Sequence, residues 1–102
     1  MGTYCDMRGF LSFIVLRLIS KKNLSGEELR VEIKKRKGAK PSAGTIYPVL
    51  KGLSECKLIE EVSGSGRTKK YRITKKGLKE LDVSTERFIA IFYDMKEEFR
   101  RC

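Results

Sequence analysis

Between residues 7 and 19 the apolar positions Met7, Phe10, Leu11, Ile14 and Leu18 recur every three to four residues, the spacing of one helix face. Phe13, Val15, Leu16 and Ile19 carry the apolar surface nearly all round, which predicts a central, buried helix. Ser25-Gly26-Glu27-Glu28 then has the form of a capping box, with Ser25 as N-cap, Glu28 three residues on and Leu24 as the preceding hydrophobic contact. A second helix is expected from there to about Arg36, burying Leu29 and Ile33 and stopping before Gly38. Lys34, Lys35, Arg36 and Lys37 crowd its last turn, where cations suit the helix dipole as well as a phosphate. Pro41-Ser42 opens a third helix that continues to about Lys57. At about 100° per residue, Val49, Leu50 and Leu53 fall within about 60° of Ile46 and form its buried stripe.

The opposite face of the third helix is bare. Gly44, Pro48 and Gly52 recur every four residues beside Lys51 and Glu55, with Thr45 and Tyr47 on the flanks. Glycine and interior proline both cost helix stability, so the pattern fits either a helix whose backbone comes close to a partner or a late-starting, kinked helix with Pro48 in its first turn. Residues 58–62 read as a short strand, Ser63-Gly64-Ser65-Gly66 as a turn, and residues 69–73 as the returning strand, with Tyr71 and Ile73 on one face and Lys70 and Arg72 on the other. Thr74 caps another helix start. From Leu78 onward the pattern is helical again, with a break expected near residues 82–84. Leu81, Phe88, Phe92, Met95, Phe99 and Cys102 make a heptad seam with Thr85 in the missing position, and Ile89 and Ile91 widen it. So broad an apolar face must be covered, in part by the first helix and otherwise by a twin. A homodimer is therefore expected, with Phe88, Phe92, Met95, Phe99 and Cys102 at its interface.

Charge sharpens this picture. Residues 21–80 carry 17 basic and 7 acidic side chains, while residues 1–20 contribute +1 and residues 81–102 contribute −1 to the total of +10. A localised excess is the footprint of a polyanion, although a solvated Lys-rich surface would give the same count. The chain has 102 residues, room for one compact domain, and no histidine, which excludes Ser-His-Asp and Cys-His catalysis and His-containing zinc sites. Cys5, Cys56 and Cys102 are too few and too far apart for a disulfide framework or a four-ligand metal site, so a reducing cytoplasm is the expected compartment and no cofactor is implied. Oxidation could still join two copies of Cys102 across a dimer axis. The apolar run ending at Ser20 is interrupted by Arg17 and too short to span a bilayer, and no cleavage site follows it, so neither a membrane span nor a signal peptide is expected. No nucleophile–base pair, clustered carboxylates or phosphate-cradling glycine loop is present, and no enzyme is expected.

The order helix, helix, helix, hairpin, helix, with a basic hairpin and a bare third helix, is that of a winged helix-turn-helix: mainly α with a small β-hairpin, plus a C-terminal dimerisation helix. Residues 1–81 would form the DNA-binding domain and residues 82–102 the dimerisation helix. In such a unit the third helix enters the major groove, and the cationic hairpin, with Arg67, Lys69, Lys70 and Arg72, lies along phosphates or the adjacent minor groove.

Ser42-Ala-Gly-Thr-Ile-Tyr-Pro-Val-Leu, Leu58-Ile-Glu and Lys70-Tyr-Arg-Ile-Thr-Lys-Lys-Gly together resemble the PadR family of transcriptional regulators, in which an S-x-G-T-L/I-Y-P-x-L helix leads to a G-L-I strand and a K/R-Y-Y-x-L/I-T-x-x-G wing. Two departures stand out: Lys57 occupies the place of the family's usual Gly, and Gly26-Glu27 that of its Gly-Tyr. The resemblance implies DNA contacts by Ser42, Thr45, Tyr47 and Lys51 on the recognition helix, although Tyr47 would equally serve as packing beside the second helix. It also implies a small-molecule effector between the terminal helices, where Phe88, Phe92 and Phe99 would line a cavity or simply pack. Three functions are carried forward: a homodimeric, sequence-specific repressor on an inverted-repeat operator, an architectural DNA binder with little sequence preference, and a winged-helix adaptor for an acidic protein partner.

Overall fold

The fold is built around α1 (Gly9–Lys21), which is apolar nearly all round, with Arg17 left exposed. In this computed structural model, which describes residues 9–63 and 68–100, Val15 and Leu16 are fully buried and Leu18 and Ile19 nearly so. They meet Leu29 and Ile33 of α2 (Gly26–Lys37), Ile46, Leu50 and Leu53 of α3 (Ala43–Glu55), Ile59 of the strand β2 (Ile59–Ser63) and Tyr71 of the strand β3 (Lys69–Ile73), together with Leu58, in one core. The expected start of the first helix at Met7 lies outside the described residues.

The local signals around α2 are realised. Ser25 Oγ accepts from the Glu28 amide at 3.1 Å while Glu28 Oε1 accepts from the Ser25 amide at 2.9 Å, closing the capping box. At the other end Gly38 takes the left-handed conformation, φ 80°, and its amide donates to the Lys34 carbonyl at 2.8 Å. This conformation favours glycine, which lacks the clashing Cβ. The helix α3 begins at Ala43, so Pro48 stands in its interior and the late-starting alternative is excluded. Proline has no amide hydrogen, which leaves the exposed Gly44 carbonyl without its usual intrahelical donor.

The end of α3 explains one departure from the family motif. Cys56 is the C-cap, Lys57 has φ 62°, and the amides of Lys57 and Leu58 donate to Ser54 and Leu53 carbonyls at 2.9 Å each. These are the paired bonds of a Schellman ending, in which the left-handed position is normally glycine. Lysine bears a steric cost there that glycine avoids. Lys57→Gly should therefore stabilise the fold by about 0.5–1 kcal/mol, the relieved strain exceeding the entropy gained by the unfolded chain. A higher urea midpoint at unchanged slope would show this, and a lower midpoint would refute it.

The sheet has three strands where the sequence pattern shows two. β1 (Leu24–Ser25) pairs antiparallel with β3 through Leu24↔Tyr71 and Ser25↔Lys70, and β2 pairs with the other edge of β3 from Ile59↔Ile73 to Ser63↔Lys69. Two residues are too few for a strand period to be visible.

After β3, the Thr74 hydroxyl donates to the Lys57 carbonyl at 2.7 Å and accepts from the Gly77 amide at 3.0 Å, starting α4 (Lys75–Asp94). The expected break at residues 82–84 does not occur. Thr85 Oγ1 bonds back to the Leu81 carbonyl at 2.7 Å and Ser84 is buried, so these polar side chains are accommodated on a continuous helix. The interruption falls instead at Met95, ahead of the short α5 (Lys96–Arg100). The division between residues 81 and 82 lies within α4. Phe88 packs on Phe13 with ring centroids 4.5 Å apart and on Phe10 at 5.7 Å, so α1 covers the centre of the α4 apolar face. Among the described residues, no helix is long and apolar enough to cross a membrane.

Candidate nucleic-acid interface

Five residues, 38–42, join α2 to α3, and long-range polar contacts hold that connection. Arg30 Nε donates to the Pro41 carbonyl at 2.8 Å, while Glu27 receives Arg30 at 2.6 Å and Lys40 at 2.8 Å. These bonds, the Lys40 contact first, keep the Glu27 carboxyl below the usual carboxylate range. Glu27, Arg30 and Lys40 thus aim the start of α3. The sequence offers only the Glu27–Arg30 helical spacing as a hint of it.

The outward face of α3 carries the expected residues. Ser42, Thr45, Tyr47 and Lys51 are all exposed, and Ser42 Oγ and Thr45 Oγ1 lie 3.1 Å apart in a hydrogen bond. Ser42 is the N-cap residue but its hydroxyl makes no cap bond, which leaves it turned toward Thr45. Tyr47 is 47% exposed, yet its ring lies against Gly26 at the start of α2. It thereby forms one wall of an open groove of about 360 Å³, whose opposite side is Thr68, Lys69 and Tyr71. Residues of α3, of the start of α2 and of the hairpin line this groove together.

The hairpin cations divide between its two faces. Side chains alternate along a strand, so Lys69 shares the face of the buried Tyr71, with which it lines the Tyr47 groove, and Lys70 and Arg72 take the other. Lys69 stands 3.8 Å from Glu61, Lys70 3.5 Å from Glu28, and Arg72 pairs with Glu60 directly across the ladder. The Ser25 backbone bond, assisted by Lys70, holds Glu28 ionised below its ordinary range. Burial raises the Tyr71 phenol, with Glu61 and then Tyr47 adding to the effect, so it remains a neutral donor at physiological pH. Near the end of α2, Lys35 and Arg36 both bond Glu32, at 3.0 and 3.1 Å, and form a mixed-charge surface patch. Arg67 lies outside the described residues.

Of the residues expected at a dimer interface, Phe88 is half-buried against α1, while Phe92 and Met95 are 36% and 41% exposed. The Phe99 side chain and Cys102 lie outside the described residues. Ile89, Ile91 and Tyr93 are more exposed still. No group of three or more His, Cys, Asp or Glu that could hold a metal ion occurs among the described residues. The surface therefore offers hydroxyl donors on an exposed helix beside a cationic strand, which suits phosphates and base edges.

Comparison with known proteins agrees with that surface. The family model for PadR-like transcriptional regulators matches residues 15–83. An uncharacterised protein of Lysinibacillus sphaericus is 38% identical over 77 residues, covering 70% of this chain and 71% of its own. The crystal structure of a PadR-like transcriptional regulator from Bacillus cereus superposes with a TM-score of 0.74 at 29% identity, over 94% of this chain and 96% of that one. A PadR family regulator from Clostridium difficile shares the fold with a TM-score of 0.72 at 24% identity, over 89% and 99%. The chain belongs to the PadR-like family of DNA-binding transcriptional regulators.

Proposed function

We propose that two copies of this chain bind an inverted-repeat operator in the cytoplasm and repress transcription from it. The observation that carries this reading is the exposure of Thr45, Tyr47 and Lys51 on the sides of α3 turned away from Ile46 and of Ser42 at its N-cap, with Lys69 lining the same groove as Tyr47. The major groove, about 12 Å wide, admits such a helix, and Ser42 and Thr45 at its N-terminal end would reach base edges. With few base-reading side chains available, phosphates would supply much of the affinity. Pairing through the α4 face would set two α3 helices about one helical turn, roughly 34 Å, apart. A small-molecule effector that parted the paired helices would change that separation and release the operator.

Selection of bound duplexes from a random DNA pool tests the reading. It should enrich an inverted repeat with half-sites about 10 base pairs apart, bound at least about 1,000-fold more tightly than random duplex at the same salt concentration. A ratio near one would replace it with the architectural reading. Failure to shift any duplex at low salt would favour a protein adaptor.

A further inference from the structure

We infer that Gly26 is a positioning residue: it is the seat on which Tyr47 is held, and it thereby sets the reach of the Tyr47 hydroxyl toward a DNA phosphate. The inference rests on the DNA-binding reading of α3 and adds a residue outside the recognition helix to it. Gly26 is the first residue of α2 and its backbone is not in the left-handed region, so neither a turn nor a cap demands glycine there. Glycine at a helical position also costs stability relative to alanine. What the position does require is space. A Cβ on Gly26 would stand 2.7 Å from Tyr47 Cε1 and 2.8 Å from both Cζ and Oη, closer than carbon atoms approach in folded proteins.

The consequence of filling that space follows from which atoms are met. They belong to the far end of a half-exposed side chain, not to backbone, so Tyr47 would swing away while the fold stays intact. The displaced group is the wall that faces Thr68 and Lys69 across the groove. With the ring seated, a phenol donor and a lysine cation from two separate elements line one groove; the Glu27 carboxylate that shares it is paired with Arg30 and Lys40, and a singly charged phosphodiester would draw Lys69 away from Glu61, 3.8 Å from it. With the ring displaced, Lys69 would hold that phosphate alone. Because a phosphate contact carries no base information, its loss should weaken operator and random duplex by the same factor.

The test combines Gly26→Ala, Tyr47→Phe and the double variant, each titrated with operator and with random duplex. Gly26→Ala should bind both about tenfold more weakly, the scale of one lost charge-assisted hydrogen bond. It should add little once Tyr47→Phe has already removed the hydroxyl. Unchanged affinity in Gly26→Ala, an equal further loss in the Tyr47→Phe background, or a loss confined to the operator would each overturn the inference. A measurement without DNA keeps the two readings separate. The Gly26 α-proton resonances of the free protein should carry a ring-current shift that vanishes in Tyr47→Ala. Absence of that change would remove the seat. A wild-type chain that binds no duplex would instead remove the proposed function, and the phosphate role of Tyr47 with it, whatever the resonances show.

Discussion

Replacing Gly77 with alanine should destabilise the protein by about 3 kcal/mol, the upper range for forcing one carbon into a filled core. The position is buried in the first turn of α4, and a Cβ there would overlap the carbonyl oxygen of Leu58 and come within 2.7 Å of Ile73 Cγ1. Unlike the ring over Gly26, that carbonyl cannot move aside. It accepts from the Thr74 amide at 3.0 Å and the Thr74 hydroxyl at 3.1 Å, and so ties the end of α3 to the start of α4. Relief would require α4 to lift from Leu58 and from Ile73 of β3, breaking those bonds and opening the core around Leu58 and Leu81. Gly52→Ala is the matched control: its Cβ would meet nothing within 4 Å, and alanine should raise stability by up to about 1 kcal/mol. Urea titrations at one fixed protein concentration would compare the two, since the proposed pairing of two copies would make apparent stability depend on concentration. A Gly77→Ala midpoint equal to wild type would show that this close approach does not exist.

The second large effect concerns the α4 face. Placed at about 100° per residue, Ile91, Met95, Phe88, Phe92, Ile89 and Tyr93 span an arc of about 200°. The helix α1 reaches its middle through Phe10 and Phe13, so both flanks stay open: Ile91 and Met95 at 56% and 41% exposure on one, Ile89 and Tyr93 at 59% and 65% on the other. Paired α4 helices would cover them. Ile89→Asp should therefore cost little in an isolated subunit, but in a dimer it would bury an unpaired carboxylate, worth several kcal/mol against association. Sedimentation should show a single-copy mass, and operator affinity should fall about 100-fold or more as the second half-site is lost. An intact dimer with undiminished affinity would mean that subunits pair elsewhere.

The features legible in the sequence are those whose causes lie within one or two helical turns. The Ser25–Glu28 capping box, the Gly38 stop, the Ile46–Leu50–Leu53 stripe and the Thr74 cap all depend on neighbours three or four residues away, where backbone geometry leaves little choice, and β3 shows in the two-residue alternation around Tyr71. Of the candidate residues, Thr45, Tyr47 and Lys51 are exposed on the sides of α3 away from Ile46, as their helical angles require, and Ser42 is exposed at the N-cap. The break expected at residues 82–84 was misplaced because propensity penalises Asp, Ser and Thr in a helix, whereas the Thr85 hydroxyl finds a carbonyl of its own helix and Ser84 is enclosed by packing.

By itself, then, the sequence determined a basic winged helix with an apolar last helix, because hydrophobic periodicity and caps are local properties of the chain. Only the tertiary structure decided which glycines are spacers: Gly26 beneath the Tyr47 ring and Gly77 against the Leu58 carbonyl answer to atoms brought close by folding. It also separated the hairpin cations: Lys69 stands beside Glu61 and lines the groove with Tyr47, while Glu28 and Glu60 engage Lys70 and Arg72 on the other face. Steric exclusion and ion pairing act through space over a few ångströms, and a linear pattern does not contain those distances.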